Sequence, residues 1–281
     1  MAGGAEPANC PLERRQPATA LRPGADGRYR YRMEPVYRSV VVAGRMLFFL
    51  QGLKISVSGT ENIPRTGGAV LAVNHTGFMD FALAGSAARS ARRNVRFMAK
   101  EEIFGNRFAG PLMRGMRHIP VDRGSGAGSF RAALQALKAG EIVGVFPEAT
   151  ISRSFELRPF KNGTVQLAAM AGVPLLPMTI WGSQRIWTKD HPKRLGRHHI
   201  PILISIGEPI PVARKDDFAA VTGHLRTAMQ QMLHRQQADY PPLTGDERKY
   251  LPARLGGTAP TPDEAERLDS VEASGRPLGP S

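Results

Sequence analysis

Between Ile55 and Gln237 the chain alternates short apolar runs with longer stretches whose apolar residues recur at helical spacing. Ala69–Val73 (AVLAV) has no polar position, as expected of a strand buried on both faces. Similar runs predict strands at Ile55–Ser58, Val95–Ala99, His118–Val121, Ile142–Phe146, Leu175–Ile180 and Ile202–Ile206. Helical spacing predicts helices at Asp80–Arg89, Thr164–Ala171 and Asp217–Gln237. Glu101–Met116 reads as helix broken at Pro111, and Ser129–Lys138 as an amphipathic helix capped by Ser129 and stopped by Gly140. Strands alternating with helices predict an α/β domain, with a mixed, largely parallel sheet flanked by helices. In such sheets the chemistry sits on loops beyond the strand ends.

The two ends lack this periodicity. Residues 1–30 are rich in Pro, Gly, Ala and Arg and read as a disordered arm, with no apolar core of a signal peptide. Residues 241–281, with Pro-Pro and Gly-Gly pairs, read as a disordered tail. Tyr37–Leu53 is the most apolar N-terminal stretch, but shorter than the roughly 20 residues of a comfortable span. Arg38 and Arg45 fall on one side of a helix there; Val40, Ala43, Leu47 and Leu50 fall on the other, with Phe48 on its flank. This predicts a membrane-associating helix lying in the bilayer surface, against a core helix covering the sheet or a true span.

Charge narrows the partners. The net charge is +14 and the pI about 10.7, although mean hydropathy is an ordinary −0.25. From Pro241 onward five basic residues meet seven acidic ones, so the positive excess belongs to the preceding chain. Such a surface suits an anionic partner: a nucleic acid, an acidic membrane or a phosphorylated substrate. The single cysteine, Cys10, excludes an internal disulfide and fits a reducing compartment.

Chemistry concentrates in four blocks. In Asn74-His75-Thr76-Gly77-Phe78-Met79-Asp80, the histidine follows a buried strand and the aspartate opens a helix. A strand–turn–helix corner, bent at Gly77, would bring the two together. A histidine held by a carboxylate is a general base in its working tautomer; alone, the block also fits a loop histidine and a helix-terminal charge. The second block runs Arg117 to Arg123 into the glycine-rich 124–129, which matches no nucleotide-binding fingerprint and reads as a connector. Arg123 offers a bidentate fork for phosphate, or is a solvated charge. In the third block a strand ends at Pro147 and displays Glu148 past the sheet edge, where its carboxylate would accept hydrogen bonds from a polyol. The hydroxyl of Thr150 and the cations Arg153 and Lys161 follow, and could hold a phosphate; alone, the block also fits an ordinary loop with paired charges. The fourth, Gly172–Ile180, is an apolar strand entered through prolines. His191, His198 and His199 lie among Lys189, Lys193, Arg194 and Arg197, and read as a lipid-facing basic patch, not a zinc site.

Taken together and in order, the blocks resemble the 1-acylglycerol-3-phosphate acyltransferase family: N-H-x4-D, a strand ending in arginine, F-P-E-G-T-R-S, then V-P-x-x-P. The resemblance spans roughly Ile55 to Ile210. It implies that His75 and Asp80 are the catalytic pair and that Arg123, Glu148 and Lys100 belong to the acceptor's phosphate and glycerol site. Ala149 stands where the family usually has Gly, and Ile151 where it usually has Arg; Arg153 is the candidate replacement. The implied organisation is an arm (1–30), a membrane-associating segment (31–54), an acyltransferase domain (55–240) and a tail (241–281). The implied reaction moves a fatty acyl group from an acyl thioester, of coenzyme A or acyl carrier protein, to a lysophospholipid hydroxyl. No cofactor or metal is needed. The expected partners are that acceptor, the donor and an anionic membrane, at the cytoplasmic face and peripheral, with no nucleic acid. The alternatives are the same chemistry on glycerol-3-phosphate or a lyso-aminolipid, a basic nucleic-acid-binding protein, and an inactive membrane scaffold. No G-x-S-x-G serine-hydrolase motif and no recognisable DNA- or RNA-binding signature is present.

Overall fold

The computed structural model describes residues 34–122 and 126–274. The arm at 1–30, Cys10 and Arg123 lie outside the described residues. Within these limits the chain forms eight α-helices and a seven-stranded sheet. The strands are β1 (Lys54–Ser58), β2 (Ala69–Val73), β3 (Val95–Lys100), β4 (Ile119–Val121), β5 (Ile142–Val145), β6 (Leu175–Trp181) and β7 (Pro201–Ile206). The helices are α1 (Pro35–Leu50), α2 (Asp80–Ala88), α3 (Glu101–Gly105), α4 (Ala109–Gly115), α5 (Gly126–Lys138), α6 (Gly163–Ala171), α7 (Phe218–Asp239) and α8 (Pro262–Ala273).

The sheet order is β1-β7-β6-β2-β5-β3-β4. Every neighbouring pair is parallel except β6 with β7. The mixed, largely parallel sheet expected from the sequence is therefore the one observed. Alternation along each strand divides the core into two layers. Ala69, Leu71 and Val73 of β2 pack with Leu83, Ala84 and Ala87 of α2. Val70 and Ala72 face Leu137 of α5, Ala168 of α6 and Leu233 of α7. A strand covered on both faces has no room for a polar side chain, which accounts for the unbroken AVLAV run.

Four local readings change. α5 begins at Gly126, so Ser129 is a buried helix residue and not the cap. The break in 101–116 falls at Asn106, whose side chain caps α4 by accepting from the backbone N–H of Phe108 and Ala109. Pro111 sits in the first turn of α4, where a missing N–H costs nothing. α1 turns Tyr37, Val40 and Phe48 toward the domain and exposes Val42, Met46, Leu47, Phe49 and Leu50. Its outward face is thus rotated from the one read in the sequence. The Tyr37 hydroxyl accepts from the Val95 N–H, and Glu34 pairs with the buried Arg96 at 2.7 Å, fixing the helix to β3.

The fourth change concerns the tail. Residues 241–274 fold onto the domain instead of forming a disordered tail. Tyr250 is buried and its carbonyl accepts from Gln184. Glu247 pairs with Arg185 and Arg194. α8 carries a Thr261/Glu264 capping box and sets Asp269 against Arg153, Arg158 and Lys189. Truncation after Tyr240 therefore exposes Tyr250's contact surface and strips partners from several cations. We expect a loss of roughly 3–5 kcal/mol, as for removing a buried aromatic, and a midpoint lower by roughly 6–20 °C at this chain length. A thermal melt unchanged by the truncation would show that the segment contributes nothing.

His118 supplies a pH-dependent term. It is buried, and its Nδ1 accepts from the Phe97 N–H at 3.0 Å, so the neutral form is the one held. Burial, with Arg96 nearby, lowers its pKa to about 4. The folded state then binds fewer protons than the unfolded chain between pH 6.5 and 4. The stability this residue contributes is present above pH 6.5 and is lost, by about 3 kcal/mol, as pH falls toward 4. His118→Gln keeps an acceptor for Phe97 and should flatten that part of a denaturant-midpoint profile; parallel profiles would refute the assignment.

Candidate active site

The corner begins where β2 stops. The buried Asn74 side chain donates to the Ile180 carbonyl at 3.0 Å and accepts from the Ile180 N–H at 2.7 Å. β6 thereby fixes the point at which the chain leaves the sheet. Both backbone groups of the next residue are also held. The His75 N–H donates to Glu148 Oε1 at 2.9 Å, and its carbonyl accepts from the Ser152 N–H at 2.8 Å.

Asp80, the first residue of α2, is fully buried. Its Oδ2 accepts three hydrogen bonds: from His75 Nδ1 at 3.0 Å and from the N–H groups of Thr76 and Gly77 at 2.8 Å each. Helix N-termini favour a carboxylate. An ionised carboxylate is acceptor-only, so Nδ1 carries the proton and Nε2 is left as the basic nitrogen. The imidazole stacks on Phe146 at 4.0 Å, which fixes its plane, and its side chain remains 19% exposed. Gly77 is favoured by close packing and not by a positive φ. A Cβ there would lie 3.0 Å from the Ser183 carbonyl and 3.1 Å from that of Trp187.

Glu148 departs from its expected role. It is buried, and its second oxygen accepts from the Arg158 N–H at 3.0 Å. Burial pushes its carboxyl up to about 8, against the two N–H donors. It braces His75 from behind and is not displayed past the edge. Ala149 has φ 60°, in the left-handed region that glycine enters freely, which accounts for the glycine usual at that position.

Arg153 departs as well. Its guanidinium is buried and bound to Asp190, Asp269 and Glu272, an internal ion cluster in place of an open phosphate clamp. Thr150 accepts from Lys189, which also reaches Asp269 and Glu272. His191 packs against Phe155 and Tyr250 and is thereby drawn out of the basic patch read from the sequence, and burial lowers its pKa; His198 and His199 are exposed. Lys100 and Lys161 are exposed. Lys100 ends β3, and Asp122, the last described residue before Arg123, follows β4. His75, Glu148, Lys100 and Asp122 thus close four consecutive strands of the sheet, β2-β5-β3-β4, all at their carboxyl ends. An apolar crevice lined by Val40, Gly44, Phe48, Phe81 and Phe97 lies between α1 and the start of α2, one residue from Asp80. Asn74, Phe146, Arg158 and Asp269 were not singled out from sequence. The i, i+3 Thr261/Glu264 pair with Pro262 was a legible signal for the helix that delivers Asp269.

Comparison with known proteins assigns the chain to a class. The family model for "Acyltransferase" matches residues 54–181, from β1 through β6. The 1-acyl-sn-glycerol-3-phosphate acyltransferase of Bacillus subtilis is 32% identical over 197 residues, covering 69% of this chain and 90% of that protein. The protein of the same name from Borreliella burgdorferi is 28% identical over 149 residues, covering 52% of this chain and 58% of its own length. Among solved structures, the 1-acyl-sn-glycerophosphate acyltransferase PlsC of Thermotoga maritima shares the fold, with a TM-score of 0.63 at 23% identity over 73% of this chain and 81% of that one. The class these matches define is that of the acyltransferases, and the fold is shared with a solved member of it. The chain belongs to the 1-acyl-sn-glycerol-3-phosphate acyltransferase family.

Proposed function

We propose that the protein transfers a fatty acyl group from an acyl thioester to the free hydroxyl of 1-acylglycerol-3-phosphate, giving phosphatidic acid. The observation that carries this reading is the 3.0 Å bond between His75 Nδ1 and the buried Asp80, which leaves Nε2 basic at the carboxyl edge of β2. Nε2 takes the proton of the acceptor hydroxyl. The hydroxyl oxygen forms the new ester bond at the thioester carbonyl, the carbon–sulfur bond breaks, and the proton leaves with the thiolate as free thiol. Asp80 stabilises the imidazolium in between. This route asks for no metal or organic cofactor; the thioester of coenzyme A or acyl carrier protein is a co-substrate. Lys100, Lys161 and Arg123 are the cations assigned to the acceptor phosphate.

The reading also seats the protein peripherally on the cytoplasmic face of a membrane. Among the described residues, no helix is long and apolar enough to cross a bilayer. The exposed Met46, Phe49 and Leu50 of α1 lie beside Arg45 in a chain of net charge +14, which suits an in-plane helix on anionic lipid. The test is labelled acyl donor with a panel of acceptors: lysophosphatidate, glycerol-3-phosphate and a lyso-aminolipid. Phosphatidic acid should be the dominant product, and Lys100→Ala should raise the KM for lysophosphatidate several-fold while leaving that for the donor unchanged. Transfer to glycerol-3-phosphate alone would reassign the acceptor. A change confined to the donor KM would exchange the two substrate sites.

A further inference from the structure

The segment between α3 and α4 holds an apolar tip that the catalytic account does not use. Phe108 is 79% exposed, the most exposed of the large hydrophobic side chains among the described residues; Ile103 at 40% and Leu112 at 48% accompany it. This is not the exposure of a frayed loop. The Asn106 side chain accepts from the N–H groups of Phe108 and Ala109, at 2.9 and 3.0 Å, and the Gly110 N–H donates to the Asn106 carbonyl. Arg114 Nη1 reaches back to the Phe104 carbonyl at 2.6 Å. Gly110 lies so near that carbonyl that a Cβ would stand 2.2 Å from it. The two short helices are clasped together, and the clasp holds the Phe108 ring out into solvent.

We propose that this hairpin is a second point of insertion into an anionic bilayer, separate from α1. The inference rests on the membrane-surface reading above. The Arg107 guanidinium lies 5.9 Å from the Phe108 ring centroid. A ring for the acyl boundary beside a cation for the phosphates is the pairing an interfacial anchor needs. The acidic residues of the hairpin, Glu101 and Glu102, open α3 at the end away from the tip. The other end of the hairpin adjoins α1. A Cβ on Gly115 would lie 2.6 Å from Val36, itself exposed, so the end of α4 packs on the start of α1 and leaves the tip apart from it. α3 follows Lys100 directly, so insertion here would bring the carboxyl edge of β3 to the headgroups.

The test uses full-length Phe108→Trp and Phe108→Ser variants with vesicles of phosphatidylglycerol or phosphatidylcholine, some carrying brominated acyl chains. With phosphatidylglycerol, Phe108→Trp fluorescence should shift to the blue and be quenched by bromine beyond the wild-type signal. Phe108→Ser should weaken co-sedimentation roughly 5- to 10-fold while leaving turnover on detergent-dispersed substrate unchanged. If the Trp variant co-sediments with vesicles but its added fluorescence is unquenched, this anchor is wrong and the membrane reading stands. Wild-type protein that stays in the supernatant at low salt overturns both. A dimer that Phe108→Ser converts to monomer without lipid would reassign the tip to a second copy of the chain.

Discussion

His75→Ala should lower acyl transfer by roughly 10²–10⁴-fold, the range that general-base catalysis contributes, while the protein stays folded. The second half of that expectation follows from how the residue is held. Its backbone N–H and carbonyl bind Glu148 and Ser152 whatever side chain is present. The side chain itself is partly exposed, so its loss opens no large cavity. What disappears is the nitrogen that takes the proton. Circular dichroism and a thermal midpoint near wild type, measured beside turnover, separate lost chemistry from lost structure. A folded variant turning over at the wild-type rate would remove His75 from the mechanism.

Asp80→Asn should cost activity on the same scale, up to about 10⁴-fold where a histidine base loses its carboxylate. The two possible replacements report different things. An asparagine carbonyl can still accept from Nδ1, Thr76 and Gly77, so the corner keeps its shape and loses the charge that stabilises the imidazolium. Asp80→Ala leaves the N–H groups of Thr76 and Gly77 buried without their acceptor. Each orphaned donor costs roughly 1–3 kcal/mol. Asparagine should therefore reduce turnover with little change in melting, and alanine should reduce both. Because the pair acts as a unit, combining His75→Ala with Asp80→Asn should be hardly worse than His75→Ala alone. Multiplicative losses in the double variant would mean that Asp80 acts through something other than His75.

The sequence carried the scaffold further than it carried the site. Strand positions were legible because a doubly covered strand largely excludes polar residues: β2 has none, and β6 has Thr179 alone. The His75–Asp80 pair was legible because strand, turn and helix signals meet within seven residues. Glu148 was legible as a residue and not as a role. Nothing in F-P-E says whether a carboxylate past a strand end faces solvent or folds under the neighbouring strand's backbone. The distinction depends on N–H donors at His75 and Arg158, one of them 73 residues away in the chain. Arg153 is the sharper case. Its partners Asp269 and Glu272 arrive on α8, in a stretch read as tail because its Pro and Gly content hid that helix and the two 3₁₀ turns before it, Gly245–Tyr250 and Ala253–Leu255. The Thr261/Glu264 capping box was there to be weighed, but the helix it starts is held by charge pairs and buries little. Hydrophobic periodicity, the stronger signal elsewhere, was weak there.

The central claim is direct transfer, in which His75 deprotonates the acceptor and no residue of the protein carries the acyl group. It is tested most directly by following thiol release and the mass of the intact protein, with acyl thioester alone and with lysophosphatidate added. The account predicts negligible thiol release and an unmodified protein with donor alone. On addition of lysophosphatidate, thiol should appear mole for mole with phosphatidic acid. A burst of thiol without acceptor, matched by a protein heavier by one acyl group, would contradict it.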